Sequence, residues 1–290
     1  MRRARVAVPN KGVMADSVLQ LLIDAGLDPR SHLGARALEA PIGEGFDAVF
    51  VAAANIPEFV ADGAADAGIT GWDLVCESGR PLEMRLDVDL APCRLVLAAP
   101  VGADVHSIES VAAGTRVATV FPRLTRQFFD EAGVDAEVVE VSGAVEITPR
   151  LGVADLIVDL VATGSTLRAN QLVEVATLLA SSARLVTRPR EENEPDIAER
   201  LEELTLALGS VVQARKQRYV MANVARARLD EVRAILPGIG GPDIVELLDG
   251  GELIAVQAVV ALARVSATIA DLKAIGATGI VVTRIERFIP

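Results

Sequence analysis

Leu156-Ile157-Val158-Asp159-Leu160-Val161-Ala162-Thr163-Gly164-Ser165-Thr166-Leu167 runs from an apolar strand into a loop of small and hydroxyl residues, then into a helix. The strand carries Asp159 inside it and ends at Val161. Gly164 lets the backbone approach a ligand closely. The N–H groups of the loop and first helical turn converge on one point. With the hydroxyls of Thr163, Ser165 and Thr166 they make a phosphate cradle, framed by Leu160, Val161, Ala162 and Leu167. Asp159, beside the cradle, is placed to accept hydrogen bonds from sugar hydroxyls. The combination reads as a receptor for a ribose 5-phosphate. No GxxxxGK[ST] is present, so this is not a nucleoside-triphosphatase loop. Taken alone, the loop fits equally an ordinary strand–loop–helix turn with Ser/Thr capping.

On either side, short β-type runs alternate with helical patterns. Arg5–Val8, Ala48–Ala53, Ala67–Thr70, Arg94–Ala99, Arg116–Thr119, Glu137–Val141 and Asp155–Val161 read as strands. Asp16–Ala25, Ile56–Asp62, a start at Trp72, Leu124–Ala132 and Ala169–Ala180 read as helices. The alternation predicts an α/β chain with mainly parallel sheets and helices on both faces. The charged, amphipathic stretch Glu191–Leu206 predicts a surface helix before a boundary near residue 212. Beyond it the pattern changes. Tyr219–Val224, Leu229–Leu236, Asp243–Leu248, Glu252–Val260, Val265–Ile275 and Gly279–Arg284 follow the β-α-β-β-α-β order of a ferredoxin-like module.

Composition narrows the function. A chain of 290 residues suits about two domains. It is 51% apolar but only 3% aromatic, so the core is aliphatic and no aromatic platform exists for stacking bases. A net charge of −12 repels nucleic acid and anionic lipid alike, which removes both as expected partners. Cys76 and Cys93 lack zinc-ligand spacing and read as buried free thiols in preference to a bridge. His32 and His106 are isolated and read as surface loop residues, so His-dependent catalysis is not expected. The N-terminus reaches Pro9-Asn10-Lys11-Gly12 before any signal-type apolar run. No apolar run reaches membrane-span length, at about 18 residues. The expectation is a cytoplasmic, soluble protein.

Upstream residues extend the decisive stretch. Glu146, Gly152, Ala154, Ile157, Asp159, Thr163, Gly164, Thr166 and Leu167 together resemble the signature of the ATP phosphoribosyltransferases, which open histidine biosynthesis. Further likeness lies in Pro9-Asn10-Lys11-Gly12, Gly68-Ile-Thr-Gly71-Trp-Asp73-Leu74-Val75, Cys93-Arg94-Leu95 and Thr119-Val-Phe121-Pro122. The appended module is similar to the regulatory domain of the family's long form.

The resemblance implies a catalytic unit of two α/β lobes, similar to type II periplasmic binding proteins, followed by the ferredoxin-like domain. Residues 1–92 with 187–212 form the first lobe, 93–186 the second, and 213–290 the regulatory domain. It implies transfer of the phosphoribosyl group of 5-phosphoribosyl pyrophosphate to N1 of the adenine of ATP, with Mg²⁺ accompanying the departing pyrophosphate and the metal ligands unassigned. A neutral ring nitrogen attacks, so positioning and charge stabilisation carry the catalysis and no strong nucleophile is needed.

Thr163–Leu167 are expected on the 5-phosphate and Asp159 on the ribose hydroxyls. Glu146 is expected near the ribose, on the metal through water, or in a purely structural role. Lys11, with Gly12, is a candidate for pyrophosphate or ATP phosphate, or is a solvated loop lysine. Gly71 and Asp73 sit at a strand-to-helix turn, with Asp73 a ligand contact or a helix cap. Arg94 binds phosphate or pins the lobes. Val13-Met14 stands where relatives carry Arg-Leu, and Phe121 where many carry Tyr, keeping a ring for adenine. Free histidine is expected to bind Asn223, Ile239, Asp243, Val259 and Gly279, near Pro237-Gly238 and Gly276-Ala277, as a feedback inhibitor. The family further implies a homo-oligomer, dimers building a hexamer. The rival reading is a non-catalytic cytoplasmic small-ligand sensor with a bilobal fold.

Overall fold

A computed structural model describes residues 2–29, 38–236, 241–247 and 251–290. The chain divides into two compact units, Met1–Ile23 with Leu27–Thr205, and Asp24–Gly26 with Leu206–Pro290. His32, Ile239 and Pro237-Gly238 lie outside the described residues.

The first unit holds two sheets, entered in turn. The chain opens with β1 (Ala4–Pro9), α1 (Val13–Asp24), β2 (Glu39–Pro41), β3 (Phe46–Val51), α2 (Ile56–Ala61), β4 (Ala67–Gly71), α3 (Trp72–Ser78) and β5 (Glu83–Asp87). It crosses into β6 (Cys93–Pro100), β7 (Thr115–Thr119), α4 (Pro122–Ala132), β8 (Ala136–Glu140), β9 (Leu156–Val161), α5 (Ser165–Ala169) and β10 (Leu172–Ser181). It then returns as β11 (Ala183–Thr187) and continues into α6 (Pro195–Arg215). The first sheet has the order β2-β3-β1-β4-β11-β5 and the second β10-β6-β9-β7-β8. Each sheet has a parallel core, β3-β1-β4 or β9-β7-β8, flanked by an antiparallel strand. The fold is therefore two-lobed α/β, as the resemblance implied.

Three details depart from the sequence reading. The sheets are mixed rather than mainly parallel: β11 runs antiparallel to β4, and β6 runs antiparallel to both β9 and β10. The return to the first lobe comes at Ala183, earlier than residue 187, because Ala183–Thr187 pairs with β4 and β5. The helix expected over Ala169–Ala180 is the edge strand β10, preceded by the short α5. Leu172, Val175, Ala176 and Leu179 recur at helical spacing, which invited that reading. The cause is a pair of register shifts, between Glu174 and Ala176 and between Thr177 and Leu179. Each bulge inserts an extra residue and shifts the period-2 alternation.

The inner strands of the second sheet, β6, β7 and the first half of β9, are buried on both faces, which explains their apolar runs. Leu95, Leu97, Leu156 and Val158 pack on one face with Phe121 and Phe129, while Val96, Ala98, Ile157 and Val161 pack on the other with Val145 and Leu167. Neighbours along each strand alternate between these two clusters.

The second unit is built from β12 (Gln217–Ala225), α7 (Leu229–Ile235), β13 (Asp243–Glu246), β14 (Leu253–Ala261), α8 (Val265–Ala274) and β15 (Thr278–Arg284). Its sheet order is β13-β14-β12-β15, the ferredoxin-like arrangement. Val220, Ala222 and Val224 alternate inward with Ile254, Val256 and Ala258, and Val232 and Leu272 from the helices close the core. The expected boundary near residue 212 falls inside α6, which carries the last residues of one unit and the first of the other. No helix among the described residues is long and apolar enough to cross a membrane.

Candidate active site

The parallel strands set the site. β7 runs parallel to β8 and to β9, with Thr119 opposite both Glu140 and Val158. Their carboxyl ends therefore share one edge, where open α/β sheets bind ligands. Loops leaving that edge carry the Thr163–Thr166 hydroxyls, the turn holding Glu146, and Phe121.

The decisive loop is open. Ala162, Thr163, Ser165 and Thr166 are exposed, while Val161 and Leu167 are buried and anchor its two ends. Gly164 sits in the left-handed region at φ 74° and forms the N-cap of α5. The first helical turn leaves N–H groups without intrahelical partners. Thr163 Oγ1 and Ser165 Oγ lie 3.0 Å apart, so the hydroxyls form one polar rim. Arg168, which the sequence reading did not single out, donates from Nη1 to Thr163 O at 3.3 Å. It steadies the loop and adds an exposed cation beside it.

Asp159 is partly buried, and Leu160 N donates to its Oδ1 at 2.8 Å. Burial pushes its pKa up, and the nearby Glu146 carboxylate pushes it further in the same direction. The structure thus places Asp159, on β9, within electrostatic reach of Glu146, on the turn after β8. Glu146 lies in a 3-10 turn entered through Ala144, a non-glycine residue at φ 52°. Holding alanine there costs about 1–2 kcal/mol, a strain that marks the turn carrying the carboxylate.

In the first lobe, β1 runs parallel to β4, so the loops after these strands also share an edge. Lys11 and Gly12 are exposed on the first of these loops. Gly71 is buried at the end of β4, where a Cβ would stand 2.5 Å from Asp73 Oδ1. Asp73 itself is only 4% exposed. Ser181 Oγ donates to its Oδ1 at 2.5 Å and accepts from its backbone N–H at 3.0 Å. Burial raises the Asp73 pKa, partly offset by the Ser181 hydrogen bond. It is thus neither the N-cap of α3, which is Gly71, nor an open ligand contact.

Two more expectations are corrected. Phe121 is buried among Leu95, Leu97 and Phe129, so its ring packs the core and offers no face to adenine. A ring without a hydroxyl has no polar tip to keep at the surface. Arg94 pairs with Glu174 on the neighbouring strand of its own sheet and does not pin the lobes. Beside it opens a cavity of about 500 Å³, lined by Arg94, Val161, Ala162, Ser182, Arg184 and Asp87.

Cys76 and Cys93 are free thiols, and His106 is exposed. Among the described residues no cluster of three or more His, Cys, Asp or Glu could hold a metal. In the second unit Asn223, Val259 and Gly279 lie on neighbouring strands, with Asp243 opposite Gln257 on β14. Gly279 is left-handed at φ 57°, and a Cβ there would approach Asn223 Nδ2 to 3.2 Å.

Comparison with known proteins places this geometry. The family model described as HisG, ATP phosphoribosyltransferase, matches residues 52–210, and that described as HisG, C-terminal domain, matches 214–287. The chain is 54% identical over 291 aligned residues to an ATP phosphoribosyltransferase of Gemmatimonas aurantiaca, covering 99% of both chains. It is 42% identical to one of Halorubrum lacusprofundi, covering 98% of this chain and 99% of that one. Among solved structures, an ATP phosphoribosyl transferase (HisG:HisZ) complex from Thermotoga maritima matches 72% of this chain and 98% of its own at 25% identity, with a TM-score of 0.63. These matches name an enzyme and leave the sensor reading without support. The chain belongs to the ATP phosphoribosyltransferase family in its long form, the enzymes that join 5-phosphoribosyl pyrophosphate to N1 of the adenine of ATP in the first step of histidine biosynthesis.

Proposed function

We propose that the second-lobe edge holds 5-phosphoribosyl pyrophosphate, with Thr163–Leu167 on the 5-phosphate and Asp159 on the ribose hydroxyls. Backbone N–H groups and the three hydroxyls supply donors, and Leu160, Val161 and Ala162 shape the approach. The observation that carries this reading is an open, donor-rich loop leaving the strand that holds Asp159, with Glu146 on the turn after β8 at the same edge. Carboxylates at the foot of such a loop suit sugar hydroxyls and cations.

Mg²⁺ fits that donor set. It takes one or two carboxylates together with substrate phosphates and water, and needs no dedicated protein cage. Glu146 and Asp159 would hold it, Glu146 through water. When bound, the ion neutralises charge on the departing pyrophosphate. Lys11, with the flexible Gly12, reaches for phosphate from the first lobe. ATP N1 attacks the anomeric carbon as its bond to pyrophosphate oxygen breaks, and the residues position rather than react.

The second unit binds free histidine as feedback inhibitor in this proposal, through Asn223, Val259 and Gly279. Asp243 would meet the ammonium group. The Thermotoga maritima protein is described as a HisG:HisZ complex; for this chain the family resemblance supports a homo-oligomer, from dimer to hexamer. On this reading the enzyme works in the cytoplasm.

Pyrophosphate release with ATP and 5-phosphoribosyl pyrophosphate, followed beside phosphoribosyl-ATP absorbance, tests the site. Asp159→Asn should abolish both signals. Turnover near that of the unsubstituted enzyme would overturn the assignment.

A further inference from the structure

Helix α3 of the first lobe carries two carboxylates one turn apart, and both are engaged by the second lobe. Asp73 takes the Ser181 hydroxyl, at the end of β10. Glu77 Oε1 accepts from Arg123 N at 2.8 Å, and its Oε2 accepts from Leu124 N at 3.0 Å. Those two N–H groups belong to the first turn of α4, which has no side-chain cap of its own and no acid in that turn. Glu77 therefore serves as the missing cap, from another lobe, and places a negative charge at the positive end of the α4 dipole. The contact is reciprocal. The Arg123 guanidinium lies against Gly79, the left-handed residue at φ 65° that ends α3, and a methyl group there would collide with it.

The Glu77–α4 brace, unlike the Asp73–Ser181 contact, stands apart from the chain crossings. The crossing after β5 passes through Asp89 and Ala91, both left-handed at φ 55° and 48°, and the return passes through Ser182. Crossings of that kind are where a hinge between lobes would lie. The brace adds a link on α3 and α4, beside a groove lined by Trp72, Cys76, Leu124 and Phe128. It also joins the two halves of the site. α3 begins where β4 ends, on the edge shared with the Lys11 loop. α4 follows β7, whose neighbour β9 leads into the Thr163–Thr166 loop.

We propose that Glu77 is a positioning residue for the reaction: by capping α4 from α3 it fixes the spacing between the loops of the two lobes, and hence the alignment of adenine N1 with the anomeric carbon. The inference rests on the assignment of the 5-phosphate to Thr163–Leu167. With Lys11 taken on ATP phosphate, binding of 5-phosphoribosyl pyrophosphate alone is a single-lobe step and does not use the spacing. The two-substrate step does, and misplacement by about 1 Å costs on the order of 100-fold in rate.

The test uses the full chain with Glu77→Gln and Glu77→Ala, measuring 5-phosphoribosyl pyrophosphate affinity by titration, kcat with both substrates, and melting temperature. Affinity should stay within about twofold while kcat falls about 10- to 100-fold, less in the Gln variant, which keeps one acceptor. Unchanged kcat in both variants overturns the proposal. So does a parallel loss of affinity, kcat and melting temperature in Glu77→Gln, which marks a purely structural role. Thr163→Ala with Thr166→Ala separates the underlying assignment: unchanged 5-phosphoribosyl pyrophosphate affinity there refutes the loop reading, independently of Glu77.

Discussion

Ser181 and Asp73, separated by 108 positions in sequence, share a 2.5 Å hydrogen bond at the junction of the two lobes. The carboxylate is buried and its pKa is already raised by burial. Ser181→Ala removes the hydroxyl that lowers it. A buried acceptor left unsatisfied costs about 1–3 kcal/mol, which corresponds to roughly 2–12 °C in the melting temperature of this unit. A thermal scan at neutral pH reads the loss. A variant as stable as the parent would show that the carboxylate finds solvent instead.

Asp159 gives a pH dependence of definite sign. Its pKa in the folded chain is raised, first by burial and then by Glu146. The folded state therefore holds this proton more tightly than the unfolded state, whose carboxyl titrates near about 3.9. Stability from this group is complete below that value and is lost as pH rises through the raised folded pKa. Asp159→Asn, neutral throughout, is expected to be more resistant to urea than the parent at pH 7 while inactive. The advantage should shrink as pH falls toward about 4. A constant difference across that range would remove the carboxylate repulsion from the account.

The loop glycine tests the cradle directly. Gly164 is left-handed at φ 74°, and a Cβ would come within 3.1 Å of Arg168 Nη1. Gly164→Ala carries a backbone cost of about 1–2 kcal/mol and displaces the arginine that steadies Thr163. The expected result is a raised KM for 5-phosphoribosyl pyrophosphate with little change in the KM for ATP. Steady-state kinetics with each substrate varied in turn separates the two, and equal changes in both would tell against a one-sided cradle.

Local chemistry made the second-lobe loop legible. An apolar strand, an acid and a run of small hydroxyl residues are contiguous in sequence, so one reading captures them. The β-α-β-β-α-β order after α6 was legible for the same reason, since each element carries its own periodicity. Strand β10 was not, because its bulges imitate helical spacing. Phe121 was misplaced because a ring is equally suited to stacking and to a core, and only the surrounding Leu95, Leu97 and Phe129 decide between them. Ser181 and Glu77 gave no signal at all. A serine at a strand end and a glutamate in a short helix acquire meaning only when the fold brings distant partners to them.

The regulatory face offers the last test, and it separates binding of the inhibitor from catalysis. Gly279 adopts φ 57° at the start of β15, and Asn223 Nδ2 fills the space where its side chain would begin. Gly279→Ala must strain the backbone by about 1–2 kcal/mol and push Asn223 aside. Asn223 is one of the polar groups assigned to histidine, and the ferredoxin-like unit has its own core in Val220, Ile254, Val256 and Leu272. A change on the open face of its sheet leaves that core intact. The expected variant therefore turns over substrates at the parent rate without histidine and loses inhibition when histidine is added. Calorimetric titration of histidine, run beside the rate assay, distinguishes lost binding from lost coupling. If histidine still binds with parental heat and still inhibits, the ligand lies elsewhere than on the Asn223–Gly279 face.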